Sequence, residues 1–231
     1  MLIEQQALLL DMNGTFMFGE DRFDDSQNYA IHYKKLGGML SETVLNEIIS
    51  SSYSFLDERY TKIQYRHCFP SVKSAVNLVT ENELDEQEVD RIVDTFAFHE
   101  LGHIPEEYAH ALQSLRQRIL LALVIDIWSP KNLWLEAFKS SGINSLFSAA
   151  SFSSDHGIVK PSPRPFELVV EKLKLAKENC LVIGDSVRRD FDGANAAGID
   201  CVLVGGARHA NAKACFSNLL EFTDYIERNE L

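Results

Sequence analysis

The chain has 231 residues, 45 % of them apolar, which suits one α/β domain with an inserted subdomain and a large buried core. Its formal net charge of -12 and pI of about 5.0 set it against nucleic-acid backbones and anionic lipid, so neither is expected as a partner. An anionic substrate remains open, provided that a metal or a local cation offsets the carboxylates.

The first segment, MLIEQQALLLDMNG, lacks the basic start and the long apolar run of a secretory signal, and no later run approaches a membrane span. Cys68, Cys180, Cys201 and Cys215 form no C-x-x-C pair. They read as reduced thiols, with Cys180 and Cys201 packed in apolar strands, and a cytoplasmic protein is expected.

In chain order, Ala7–Met12 is a nearly continuous apolar run of the kind a buried parallel strand shows. It leads into Asp11-Met-Asn13-Gly14-Thr15. Asn-Gly between two apolar runs is also a hairpin signal, and a hairpin is compatible with an active-site strand end. Residues 18–104 contain no convincing strand. Tyr29–Lys35, Ser41–Phe55 and Glu86–Phe98 look amphipathic and helical, with Gly37-Gly38 and Phe69-Pro70 as breaks. Near Pro105 the pattern changes. Strand-like runs at Leu120–Ile127, Leu146–Phe152, Leu181–Gly184 and Cys201–Gly205 alternate with helical patterns at Leu133–Ser140, Phe166–Lys174, Val187–Ala197 and Asn218–Arg228. The alternation predicts the α/β class, with a Rossmann-like doubly wound parallel sheet as the core. That core comprises residues 1–17 and 105–231, and residues 18–104 form an inserted α-helical subdomain.

Ligands of open α/β sheets bind beyond the carboxyl ends of the strands, where Asp11 and Asp185 are expected. Gly184 lets the chain turn, and Asp190 falls in the first turn of the next helix, where a carboxylate is favoured. Ser186 and Asp190 would also serve as simple caps of that helix. Three acids at strand ends make a hard oxygen set suited to Mg²⁺. Lys160, in Gly157-Ile-Val-Lys160-Pro-Ser-Pro, is either a solvated surface lysine or one aimed by the flanking prolines.

The ordered set Asp11-x-Asn13-Gly-Thr15, Lys160-Pro161, Gly184-Asp185-Ser186-x-x-x-Asp190 and Gly193-Ala194-x-Ala-Ala-Gly198 resembles the haloacid dehalogenase-like (HAD) hydrolase superfamily, across the whole core. The insert resembles that family's small helical cap. The resemblance implies a phosphatase for a small phosphorylated metabolite with Mg²⁺ as cofactor. Asp11 would attack phosphorus and form an aspartyl-phosphate. Asp11, Asp185, the main-chain carbonyl of Asn13 and Asp190 would hold the metal. Lys160 and Thr15, with a polar residue at the end of the second core strand, would hold the phosphoryl group. The two acids at Asp185 and Asp190 argue against the halide-releasing branch, which needs no metal.

Two positions depart from the family pattern. Asn13 stands where hydrolases of the family carry the aspartate that protonates the leaving group, and loss of such help costs about 10²–10⁴ in rate. The alternative to a working phosphatase is therefore an attenuated relative that binds metal and phosphate. At the end of the second core strand, where Ser or Thr is expected, spacing favours Ile125-Asp126 and side-chain chemistry favours Ser129. A rival motif, His99-Glu100-Leu-Gly-His103, matches the zinc-peptidase pattern H-E-x-x-H, although Pro105 restricts Ile104 just after it. Phe16, Phe18, Arg22, Tyr33, Arg59 and Arg66 are candidates to line a substrate pocket or to be ordinary core and surface.

Overall fold

The computed structural model describes residues 4–24 and 26–229. Strand β1 (Ala7–Leu10) is followed by four helices, α1 (Tyr29–Lys35), α2 (Glu42–Tyr60), α3 (Val72–Val79) and α4 (Glu86–Glu100). Helix α5 (Glu106–Arg116) then leads into β2 (Leu120–Ile125), α6 (Asn132–Ser140), β3 (Phe147–Phe152) and a single turn, α7 (Ser153–His156). The chain closes with α8 (Arg164–Leu173), β4 (Cys180–Gly184), a π-helical turn at Val187–Phe191, α9 (Asp192–Ala197), β5 (Asp200–Leu203), β6 (Ala214–Cys215) and α10 (Leu219–Asn229).

The six strands form one parallel sheet in the order β3-β2-β1-β4-β5-β6. Strand β1 lies between β2 and β4, with Leu10 opposite Leu123 on one side and Ile183 on the other. The strand order reverses there, so the carboxyl ends of β1 and β4 open the crevice in which such sheets bind ligands. Both faces of the sheet are covered, which is why the strands read as continuous apolar runs. Leu8, Leu10, Leu121 and Leu123 pack with Leu112, Trp134, Phe138 and Phe222 from α5, α6 and α10. On the other face, Ala7, Leu9 and Val182 pack with Phe166, Val169 and Ala194 from α8 and α9.

Helices α1–α4 enclose a separate core that includes Tyr33, Leu45, Ile49, Val76, Ile92 and Phe96. The helices start where side-chain caps are available: Ser41 Oγ accepts the Val44 N–H and the Asp85 carboxylate accepts the Glu88 N–H, at 3.4 and 2.8 Å. The two crossings between this insert and the sheet run side by side. Phe18 and His103 exchange N–H···O bonds of 2.9 and 2.8 Å. Arg22 ties that junction to the end of α4 by donating to the carbonyls of Gly19, Phe98 and Leu101.

Several sequence expectations need adjustment. Helix α2 runs on to Tyr60, and α3, α5 and the two-residue β6 were not anticipated. No hairpin forms at Asn13-Gly14: the N–H groups of Thr15, Phe16 and Met17 converge on the Met12 carbonyl, and Phe18 pairs with His103 instead of returning along β1. Phe16 and Tyr33 are core residues, and Arg59 stacks over the Phe55 ring at 3.5 Å. Among the described residues no helix is long and apolar enough to cross a membrane.

Candidate active site

Asp11 follows β1 directly, and its N–H donates to the Ile183 carbonyl of β4 at 2.8 Å, which fixes it beside the end of that strand. Lys160, 1 % exposed, reaches in from the loop before α8. Its Nζ donates to Asp11 Oδ1 at 2.6 Å and to Asp190 Oδ1 at 2.7 Å. The lysine is therefore an aimed, buried group rather than a surface one. Burial alone would depress its ammonium, but the carboxylates of Asp11, Asp190 and Asp126 outweigh this and hold it protonated.

Asp190 is carried on the π-helical turn, and its Oδ2 accepts the Ser186 N–H at 3.0 Å. Both of its oxygens are thus engaged. Asp185 directly follows β4, and its Oδ1 is buried without a hydrogen bond, ion-paired with Arg189 Nη2 at 3.6 Å. Two glycines make the close approach possible. A Cβ on Gly14, at φ +70, would lie 2.2 Å from Asp185 Oδ2, and one on Gly184 would lie 2.2 Å from Asp190 Cγ.

One carboxylate oxygen each from Asp11, Asp185 and Asp190 lies within 4.8 Å of the others. Burial, and then repulsion from Asp11, push the carboxyls of Asp185 and Asp190 upward. Lys160 and Arg189 offset two of these three acids and leave negative charge in excess, and an all-oxygen donor set with a buried carboxylate oxygen that accepts no hydrogen bond fits a hard divalent cation. Of the ligands named from the sequence, the three carboxylates of Asp11, Asp185 and Asp190 are therefore brought together.

On the β2 side, Asp126 lies one residue past the strand. Its Oδ2 accepts the Lys160 backbone N–H at 2.9 Å and the Tyr60 hydroxyl at 2.8 Å. The strand ends at Ile125, two residues before the end of the apolar run read from the sequence. Ser129 lies further along the loop, with its N–H given to Glu100 Oε2 at 2.9 Å and its buried Oγ unpartnered. Thr15 is buried as well, with Oγ1 unpartnered.

The zinc-peptidase reading of His99, Glu100 and His103 fails on this geometry. The helix it requires stops at Glu100, and His103 sits in the bridge to Phe18. Glu100 is committed to the N–H groups of Trp128 and Ser129. His99 packs edge-on against Tyr29 and Phe98, and burial, with Arg22 adding, pushes its imidazole down to about 4.

With this arrangement established, comparison with known proteins is decisive at the level of the family. The model of the haloacid dehalogenase-like hydrolases matches residues 5–198. The chain belongs to that family. It is accordingly a HAD-like hydrolase, as the ordered motifs implied. A phosphoserine phosphatase of Thermus thermophilus is 31 % identical over 100 residues, spanning 43 % of this chain and 39 % of that protein. The pyrophosphatase PpaX of Halalkalibacterium halodurans is 26 % identical over 185 residues, 74 % of this chain and 81 % of that one. Among solved structures, a 2-haloacid dehalogenase of Pseudomonas syringae pv. Tomato DC3000 superposes with a TM-score of 0.63 at 19 % identity, covering 97 % of this chain and 99 % of that one. That likeness concerns the fold alone.

Sequence reasoning missed three contributors to the site of this HAD-like hydrolase. Tyr60 belongs to the insert and meets Asp126 across 66 positions of sequence. Glu100 was read only within the false zinc motif. Arg189 lay inside the recognised Asp185–Asp190 stretch, four residues from Asp185, a spacing that could have flagged it.

Proposed function

We propose that this HAD-like hydrolase is a Mg²⁺-dependent phosphatase acting on a small phosphorylated metabolite, through an aspartyl-phosphate at Asp11. The observation that carries the reading is the buried Lys160 ammonium held between Asp11 and Asp190, beside an Asp185 oxygen that accepts no hydrogen bond. Such a centre supplies a nucleophile, a fixed positive charge for phosphoryl oxygens and a seat for a cation. The names of the phosphoserine phosphatase and pyrophosphatase relatives point the same way.

Asp11, Asp185 and the main-chain carbonyl of Asn13 would hold Mg²⁺, with Asp190 as a further ligand, direct or through water. The ion would supply charge stabilisation at the transferred phosphoryl group. Asp11 presents its second oxygen to phosphorus while Lys160 fixes the first. Thr15 Oγ1, buried and unpartnered, is available to a phosphoryl oxygen. Residues 18–104 act as a cap that keeps bulk water out while the phosphoryl group passes to Asp11.

The test is phosphate release from a panel of small phosphomonoesters, with Mg²⁺ and with a chelator, on the unmodified chain and on Asp11→Ala. Metal-dependent release that disappears in Asp11→Ala is expected. Release that survives Asp11→Ala would remove the nucleophile from the scheme. Asn13 favours a second reading, a protein that binds metal and phosphate without turnover. It predicts no release but Mg²⁺-dependent phosphate binding by calorimetry.

A further inference from the structure

We propose that Asp126 is the proton donor to the leaving group, filling the role that Asn13 cannot perform; this rests on the phosphatase reading above. Asn13 carries an amide, and its Oδ1 is itself buried without a partner. Asp126 is buried, and its two oxygens are sharply different. Oδ2 accepts from both Lys160 N–H and Tyr60 O–H, whereas Oδ1 is buried with no hydrogen bond at all. An ionised carboxylate would leave half of its charge on that buried, unpartnered oxygen, shielded from bulk solvent, at a large desolvation cost. A neutral acid with its proton on Oδ1 avoids this, because the two donors already occupy Oδ2.

Burial drives the Asp126 carboxyl up to about 6. The charged and titratable groups that face it are Tyr60 on α2, Lys160 before α8 and Asp11 beyond β1. Lys160 and Tyr60 pull it back and Asp11 adds to the rise, so it stays within reach of the pH at which an acid both holds and gives up a proton.

Its position suits the task. Strand β2 flanks β1 on the side opposite β4, so Asp126 and the pair Asp185 and Asp190 lie on opposite sides of Asp11. In-line attack by Asp11 drives the leaving oxygen away from Asp11, beyond the carboxyl end of β1. Asp126 is where the cap touches that edge, through Tyr60.

The step balances. As an Asp11 oxygen bonds to phosphorus, the bond from phosphorus to the leaving oxygen breaks. The Asp126 Oδ1 proton moves to that oxygen, giving the alcohol, the aspartyl-phosphate and an Asp126 carboxylate. Water then attacks phosphorus and returns one proton to Asp126, and the Asp11 carboxylate departs to leave inorganic phosphate.

The experiment compares kcat/KM for an alkyl phosphomonoester, whose leaving alkoxide needs a proton, with that for p-nitrophenyl phosphate, whose phenolate needs little. Asp126→Asn preserves shape and the acceptor for both donors but removes the acidic proton. The ratio of alkyl to nitrophenyl activity is expected to fall about 10²–10⁴-fold. Adding Asn13→Asp to that variant should restore most of the ratio. Equal loss on both esters would make Asp126 a phosphate-binding or structural group, and no loss on either would dismiss it; each overturns the proposal. So would a leaving-group-selective loss in Glu20→Gln in place of Asp126→Asn, since Glu20 Oε2 is also buried and unpartnered. Should Asp126→Asn not fold, the dependence of kcat/KM on leaving-group pKa in the unmodified protein decides. A shallow dependence is expected, and a steep one means that no acid assists. Absence of metal-dependent release from both esters by the unmodified protein would instead overturn the phosphatase reading, and this proposal with it.

Discussion

Lys160 shares one ammonium between Asp11 and Asp190 at 2.6 and 2.7 Å, in a largely buried position. Removing one member of a buried ionic group leaves its partners uncompensated, and the loss is typically about 3–5 kcal/mol. Lys160→Met keeps the aliphatic bulk and deletes the charge. In the presence of a chelator, urea unfolding should show a loss of that order. Mg²⁺ should return part of it, because a cation bound by the same acids replaces the missing charge. A variant as stable as the parent under chelation would mean that the acids are neutral in the metal-free protein, and that the excess of negative charge argued for the centre does not exist. This residue was half legible from sequence. Its flanking prolines suggested an aimed side chain, but its partner Asp190 lies 30 positions away, and no periodicity reports such a contact.

At the scale of elements, the end of α4 governs the loop that follows β2. Glu100, the last residue of that helix, is buried and accepts the N–H groups of Trp128 and Ser129 at 2.6 and 2.9 Å. Burial raises its carboxyl from 4.5 to about 7. A carboxyl raised on folding binds more protons in the native than in the unfolded state across that interval. Its contribution to stability is therefore present below about pH 4.5 and is lost as pH rises through about 7. The difference in unfolding free energy between the parent and Glu100→Gln should shift against the parent across this window, by on the order of 3 kcal/mol at most. Urea melts from pH 4.5 to pH 8 measure it, and two parallel pH profiles would refute the assignment. Strands β1 to β5 and the longer helices were legible because burial on two faces or one leaves a pattern in neighbouring residues. Strand β6 is two residues long and α5 begins directly after Pro105, too little sequence in one case and too abrupt a start in the other. The π-helical turn that presents Asp190 was read as the beginning of an ordinary α-helix, since the two need the same residues.

For the whole molecule, the insert and the sheet domain are joined around the site as well as at their crossings. Trp128, from the loop after β2, packs among Tyr53, Tyr60 and Phe69 of the insert, with ring centroids 5.5, 5.5 and 5.7 Å away. The Phe69 N–H donates to the Gly157 carbonyl at 2.8 Å and the Val159 N–H to the Arg66 carbonyl at 3.0 Å. These two bonds seize the chain immediately before Lys160, whose own N–H is held by Asp126, which is held in turn by Tyr60. If residues 18–104 open as the proposed cap, this set breaks and the peptide that aims Lys160 loosens, which would make closure and assembly of the site one event. A ligand that binds only the closed form must then slow exchange of the Phe69 and Val159 amides by a common factor, which reaches about 100-fold at a ligand concentration 100 times its Kd. Mg²⁺ with orthovanadate, a mimic of the transferred phosphoryl group, is the ligand to use, and amide hydrogen exchange reads the outcome. The amides inside the β1 ladder should not respond, because their bonds to β2 and β4 survive opening of the cap. Unequal slowing of Phe69 and Val159 would show that the two bonds open separately and that the cap does not close as a unit on Lys160.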